Sequence, residues 1–494
     1  MRNFGSFFRG ESPLRTLNNK SHNSMKRAKT FFLSALLAAS LLSCNERTTV
    51  TIVSTNDIHA AISNFSRLAT LVDSLRAEGE VILVDAGDQF TGNPYVDEIS
   101  DPGMPMRELT NKLDFDLSAL GNHAFDYGQE QLGRLNKRTN YPLLCANMEE
   151  EGSPIGDIKA YHVEERNGVS FCFLALLDLV EERNLPDCNP ELVDGLTFKN
   201  YKEVLPAYKD LDEKYDVVVA MSHLGYENDL ELAALMPELD LIIGGHSHTV
   251  LEKAKVVSGV PITQTGKSLR YAGVTTFQID GDEVVGMDYK LVPMDEHLAK
   301  DKEVEAMIQT YLNIPEFDEV LAQAPETIYG KEAIGTIICD ALKEKTETQF
   351  ALYNKYGVRT DSIVAGDIKK KDIYKIEPFE NTVYTASITI GRLKKLILDA
   401  YKEIDELNIL MSGGRYDIVL NKKQALVLLY DDKGKELRNN KAKCTVTLSN
   451  FIVSTNQLED VSKPTNMLVK DILSDYFKTQ KKVAKKANTS RIVK

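Results

Sequence analysis

Asp240-Leu241-Ile242-Ile243-Gly244-Gly245-His246-Ser247-His248 is the most telling stretch of the chain. A short apolar run without polar alternation, closed by two glycines, suits a strand buried on both faces. The two histidines then stand just past its carboxyl end. Upstream the same pattern recurs in TTVTIVST (48–55), EVILVDA (80–86), FDLSAL (115–120), SFCFLALL (170–177) and DVVVAMS (216–222), separated by longer helical or loop segments. This alternation predicts an α/β domain over 45–295. Residues 264–293 read instead as antiparallel hairpins, with Asp280-Gly281-Asp282 as a turn.

The chain has eight histidines, and five of them fall in four short motifs that directly follow such runs. The motifs are Asn56-Asp57-Ile58-His59, Gly121-Asn122-His123-Ala124-Phe125-Asp126, Ser222-His223-Leu224-Gly225 and Gly244-Gly245-His246-Ser247-His248. Asp85-Ala86-Gly87-Asp88 supplies a carboxylate in the same setting. Carboxyl ends of parallel strands share one edge of the sheet, so these residues are expected to converge. Imidazole, carboxylate and amide oxygen without thiolate suit divalent Zn, Mn, Co, Fe or Mg. In Asp57-x-His59 and His246-x-His248 two alternating side chains can face one side. Glycines at 87, 121, 244 and 245 allow tight turns and close backbone approach. His22, His162 and His297 lie outside any motif.

At 494 residues the chain is too long for one core. With 73 acidic against 59 basic residues its net charge is −14, which excludes a global footprint for a nucleic acid polymer. An acidic protein that handles an anion needs a local positive site, and bound metal ions provide one. Residues 296–324 are charged and periodic and read as a helical linker; 325–480 mix short strands and helices as a second, α+β unit; 481–494 are Lys-rich and expected to fray. At the start, KRAK (26–29) precedes the apolar run 31–43, which is too short for a confident membrane span. It ends in Leu41-Leu42-Ser43-Cys44, similar to a bacterial lipobox, so 1–44 read as a leader starting at Met25, with Cys44 as the acylated first mature residue. The expected product is an exported lipoprotein anchored to the membrane and facing the periplasm or cell surface; an ordinary signal peptide with a chance cysteine is the alternative. The other five cysteines fit no disulfide framework and read as buried thiols.

Together these motifs make the chain resemble the 5′-nucleotidase family, including bacterial periplasmic 5′-nucleotidase/UDP-sugar hydrolases, across 48–480. The resemblance implies a four-layer α/β/β/α metallophosphoesterase sandwich followed by an α+β substrate-specificity domain. It also implies two divalent ions, one held by Asp57, His59 and His248, the other by Asn122, His223 and His246, with Asp88 bridging. His123 would face the phosphate as a cation, oriented by Asp126, and Asn122 and His123 would both touch substrate.

In the second domain the resemblance is looser. Gly335–Leu342, the turn Pro378-Phe379-Glu380-Asn381 and Ser412-Gly413-Gly414 match family segments and read as structural. The family's Asn-Gly-Gly-Gly-Ile-Arg loop is here Asn354-Lys355-Tyr356-Gly357-Val358-Arg359, which keeps Asn354 and Arg359 as substrate ligands but loses two glycines. Ile409 stands where the family has the first ring of a base-stacking clamp, and the second ring's loop is replaced; Tyr356 or Tyr416 could substitute. The expected substrate is a nucleoside 5′-monophosphate or a related small ester, hydrolysed by metal-activated water. Nucleotide-sugar hydrolysis and 2′,3′-cyclic-nucleotide phosphodiesterase activity remain open, and a non-catalytic lipid-anchored binding protein is the reading from another class.

Overall fold

The computed structural model describes residues 48–149, 152–280, 283–420 and 425–493. Met25, Cys44 and the Gly281-Asp282 part of the expected turn lie outside the described residues.

The apolar runs bury both faces because each strand lies between a second sheet and a layer of helices. One six-stranded sheet has the order 283–293, 271–280, 48–55, 80–85, 117–119, 143–144; the other has 255–257, 260–263, 241–244, 217–223, 169–177, 161–166. The central strands of each are parallel, with antiparallel pairs at one edge of the first sheet and at both edges of the second. Side chains alternate along each strand. Val50, Ile52, Ile82 and Val84 meet Phe171, Phe173, Val217 and Val219 in the core between the sheets. Val53, Val81 and Leu83 point the other way, against Phe65, Leu68 and Val72 of the amphipathic helix Phe65–Arg76. On the second sheet Cys172, Leu174, Val218 and Ala220 face outward to Tyr201, Leu205 and Leu232. The result is the four-layer α/β/β/α sandwich expected from the resemblance.

The second domain repeats the device once. Its five-stranded sheet runs 409–412, 350–354, 443–449, 382–389, 462–468. Ala351 and Tyr353 pack with helices Lys331–Thr346 and Val469–Gln480 on one face. Phe350 and Leu352 pack with helix Ile390–Ile404 on the other.

Two expectations need correction. The segment 296–324 is not a free helical linker. Helix Lys302–Tyr311 joins the outer layer of the first domain through Val304 and Ile308, with Ser66 Oγ donating to Glu305 (2.8 Å). Val320–Ala324 is a strand paired antiparallel with Gly366–Lys369, so it belongs to the second domain. Five residues long and broken by a register shift, it shows no clean alternation amid the charges around it. The tail is not wholly frayed either: Val483 is 4% exposed, and Arg491–Val493 pairs in parallel with Asp417–Val419. Two or three apolar residues inside a lysine-rich run are too weak a signal to read without the strand they join.

The domains meet over Tyr95, Phe317 and Tyr374, whose rings stack edge to face at 5.2 and 5.5 Å. Beside them Lys470 Nζ bonds both Glu98 oxygens at 2.6 and 2.7 Å, with both side chains largely buried. Removing one partner of such a pair strands the other charge. Lys470→Ala should therefore cost on the order of 3 kcal/mol in urea denaturation, and Lys470→Met combined with Glu98→Met should recover most of it.

Candidate metal centre

Every strand-end motif arrives at one rim. The loops after Thr48–Thr55 and Glu80–Asp85 are zipped by Asp57 N–H to Gly87 O (2.9 Å), His59 N–H to Asp88 O (3.0 Å) and Ala60 N–H to Gln89 O (2.8 Å). The two sheets are stitched there as well. The His246 N–H donates to both Asp57 oxygens (3.1 and 3.0 Å), and His223 Nδ1 bonds the Ala86 carbonyl (2.8 Å). Crowding explains two of the glycines. A Cβ at Gly121 would sit 2.1 Å from Asp88 Oδ1, and one at Gly87, whose φ is +100°, would sit 2.5 Å from His223 Nδ1. Asp57, His59, Asp88, His246 and His248 all adopt left-handed φ, between 47° and 71°. Such conformations cost about 1–3 kcal/mol each and cluster where function over-determines the backbone.

The side chains then converge. His59 Nε2 and His248 Nε2 are 3.0 Å apart, with Asp57 Oδ1 at 3.9 and 3.5 Å from them. His223 Nε2 lies 3.1 Å from Asp88 Oδ2 without the alignment of a hydrogen bond. Asn122 Nδ2 donates to the Asp187 carbonyl (2.9 Å), which turns Oδ1 toward His246 Nδ1, 3.0 Å away. Asp57–His59–His248 and Asp88–His223–His246 each bring ligand atoms within 4.8 Å of one another, and a third group, His59–Asp88–His123, overlaps both. The residues fit a pair of divalent ions on two grounds. The donors are nitrogen and oxygen only, and His59 Nδ1 and His223 Nε2 are buried polar atoms without a hydrogen-bond partner.

Protonation follows the same geometry. Burial, reinforced by Arg359, holds His59 well below the usual imidazole range. Burial also lowers His246 to about 4, with His223 adding to it, and lowers His248 to about 3, with Lys267 and Arg359 adding. All three are neutral at pH 7 and present lone pairs. Burial opposes charge on His223 too, but Asp88 and Asp57 outweigh it and hold the ring at about 10. Burial pushes Asp57 up to about 7. It pushes Asp88 the same way, but His223, His123 and His59 overcome it and hold that carboxyl well below the carboxylate range.

His123 sits beside this group, 9% exposed, with its N–H on Asp88 Oδ1 (2.8 Å) and Nδ1 2.7 Å from Asp126 Oδ2. Burial works against its charge, but Asp126 and Asp88 prevail and raise its pKa. With Nδ1 committed to Asp126, Nε2 is the nitrogen free to face a substrate.

The cleft over His123 has a volume of about 400 Å³ and is lined by Asp126, Asn354, Arg359 and Phe379 among others, so both domains build it. Asn354 and Arg359 are thus brought to the site. Tyr416 is not: it is 0% exposed and its hydroxyl bonds the Ile409 carbonyl, so it offers no stacking face. Tyr356, 44% exposed, lines the cleft. The turn at Pro378–Asn381, expected to be structural only, carries Phe379 onto the His123 ring (centroids 6.0 Å, 20° between planes). Glu377, lifted to about 8 by burial, anchors that turn by accepting from Asn381 Nδ2 (2.8 Å) and Tyr353. Sequence reasoning also missed Asp178. Its Oδ2 is 3.8 Å from His246 Nε2, although its place directly after the strand Val169–Leu177 was a usable signal.

Residues 50–250 match the calcineurin-like phosphoesterase family, and 318–458 match the 5′-nucleotidase C-terminal domain. The chain is 29% identical over 435 residues to a 5′-nucleotidase of Vibrio cholerae serotype O1, covering 71% of this chain and 77% of that one. It is 26% identical over 412 residues to Protein UshA of Escherichia coli K12, covering 69% and 74%. The solved structure of a 5′-nucleotidase precursor from Thermus thermophilus superimposes with a TM-score of 0.80 at 25% identity, over 90% of this chain and 99% of that one. With both matched domains in order and a donor set for two divalent ions at the rim, the chain belongs to the 5′-nucleotidase family and is a metal-dependent phosphoester hydrolase.

Proposed function

We propose that the chain releases phosphate from nucleoside 5′-monophosphates or closely related small phosphate esters. In this reading Asp57, His59 and His248 hold one ion, Asn122, His223 and His246 hold the other, and Asp88 serves both. The observation that carries it is the placement of Asp88. Its Oδ2 faces His223, and its Oδ1 accepts from the backbone of His123, so one carboxylate joins the metal donors to the catalytic histidine. A bound pair of ions supplies a Lewis-acid clamp on the phosphoryl group and an activated water.

The chain's own residues do the rest. His123, held as a cation by Asp126, stabilises charge on the phosphoryl oxygens and delivers a proton toward the leaving oxygen from Nε2. Asn122, next to it, is held by the Asp187 carbonyl and turns its oxygen to His246, so its place in this reading is with the metal donors. Arg359 reaches the cleft from the second domain, where its planar fork matches phosphate oxygens, and Asn354 lines the wall beside it. Past Asn354 the cleft continues into a second space of about 310 Å³, lined by Tyr356, Asn408, Ile409 and Phe451. That volume suits a leaving group of nucleoside size, and the similarity to proteins named 5′-nucleotidase supports the same substrate. Export and acylation at Cys44 remain part of the proposal, supported by the apolar run before it. Among the described residues no helix is long and apolar enough to cross a membrane.

Chelation should abolish hydrolysis, and Mn, Co or Zn should restore it. In a phosphate-release assay AMP and UMP should then exceed UDP-glucose, 2′,3′-cyclic nucleotides and phenyl phosphate in kcat/KM. Failure to cleave any of these esters with metal present would overturn the reading. His123→Ala should lower kcat about 10²–10⁴-fold with metal content near normal. Asp126→Asn removes a charge that raises the His123 pKa, so the alkaline limb of kcat, where the cation is lost, should move to lower pH.

A further inference from the structure

His246 faces two ways. Its Nδ1 points at Asn122 Oδ1, inside the donor cluster, at 3.0 Å; its Nε2 points at Asp178 Oδ2, outside every donor group, at 3.8 Å. Because Asn122 gives its amide nitrogen to the Asp187 carbonyl, the atom it turns on His246 is an oxygen. A ring can present a lone pair at Nδ1 only when its proton is on Nε2. Something must then accept that proton.

Asp178 is built for the task. Asn228 Nδ2 donates to its Oδ1 (3.1 Å), which leaves Oδ2 toward the histidine. Its backbone N–H donates to the His223 carbonyl (3.0 Å), so the residue is tied to the other imidazole of the same donor group. That imidazole has its own outer anchor, the Ala86 carbonyl on Nδ1. At 3.8 Å the contact is longer than a hydrogen bond. Both side chains are more than a quarter exposed, so a small rotation can close it.

We propose that Asp178 is a positioning residue that accepts the Nε2 proton of His246, fixing the tautomer in which Nδ1 and Asn122 Oδ1 together face one metal ion. A carboxylate behind a ligating histidine sets its orientation and raises its basicity, and its loss weakens metal affinity about 10–100-fold. The inference rests on the two-ion reading of the centre.

The test is equilibrium dialysis of the purified chain against Mn²⁺, with metal analysis. The unsubstituted chain should hold two ions. Asp178→Ala should weaken one of them about 10–100-fold, while Asp178→Asn, which keeps an acceptor oxygen, should recover most of the loss. Asn228→Ala, which frees the carboxylate to swing, should weaken the same ion to a smaller degree. Melting of the metal-free chain should be nearly the same in all four proteins, which separates positioning from lost packing. Undiminished binding of both ions by Asp178→Ala would overturn the inference and leave the two-ion centre standing. Asn as damaging as Ala would overturn it too, pointing to charge or direct ligation instead. An unsubstituted chain that takes up no manganese would overturn the centre and the inference together.

Discussion

Asp57 and Asp88, 0% and 3% exposed, are themselves shut off from water among imidazoles, and the rest of the site follows from what can neutralise them. Carboxylates removed from water need positive charge close by. Three of the surrounding rings cannot supply it, because burial keeps His59, His246 and His248 neutral. His223 supplies it in the metal-free chain, where its proton stands against Asp88. A divalent ion held by these residues would bring more charge to the same place and would compete with that proton. The arrangement therefore favours cations by holding buried carboxylates that something must balance, with neutral imidazoles beside them.

Holding those groups together strains the backbone, and the sandwich bears that strain. The left-handed residues at this rim, Ala60 among them, represent about 1–3 kcal/mol each of strain. They persist because the strands beneath them cannot shift. Phe171, Phe173 and Val219 are locked between two sheets, and bonds from His246 to Asp57 and from His223 to Ala86 tie the sheets at the top. Asp, Asn and His are also the side chains that tolerate this conformation best. Asp57, His59, Asp88, His246 and His248 thus suit these turns by residue type.

What could be read from the amino-acid order alone follows the same physics. Runs such as Val217–Met221 have no polar alternation, and that is visible locally because burial on both faces demands it. The histidine motifs are visible because each stands at the end of such a run. Phe379 had no comparable signal. It reaches His123 from the other domain, and no local pattern encodes a docking angle between two units. The strand Val320–Ala324 and the pairing of Arg491–Val493 were hidden for a related reason, since their partners, Gly366–Lys369 and Asp417–Val419, lie far away in the chain. Tyr416 is a candidate stacking ring by residue type alone, and its burial between strands removes it.

The loop Asn354–Arg359 shows how a substrate wall can be rewritten without disturbing its frame. Two glycines of the family's loop are replaced here, which suggested lost backbone freedom. Yet Lys355–Gly357 forms a single 3-10 turn flanked by φ of −81° at Asn354 and −79° at Val358, and none of 354–359 is left-handed. Any residue can adopt that backbone, so the glycines were not needed for the turn itself. Their replacement lets Asn354 and Arg359 stay on the cleft while Tyr356 adds a ring where the two spaces join. Lys331 and Lys355 flank that ring at 5.3 and 5.6 Å, and its hydroxyl bonds Glu406 (3.1 Å), so it is braced from several sides. Tyr356 thereby puts an aromatic ring on the cleft, where Ile409 offers none. The same short loop thus carries both that ring and Arg359 onto the cleft, which ties the two spaces to one stretch of backbone.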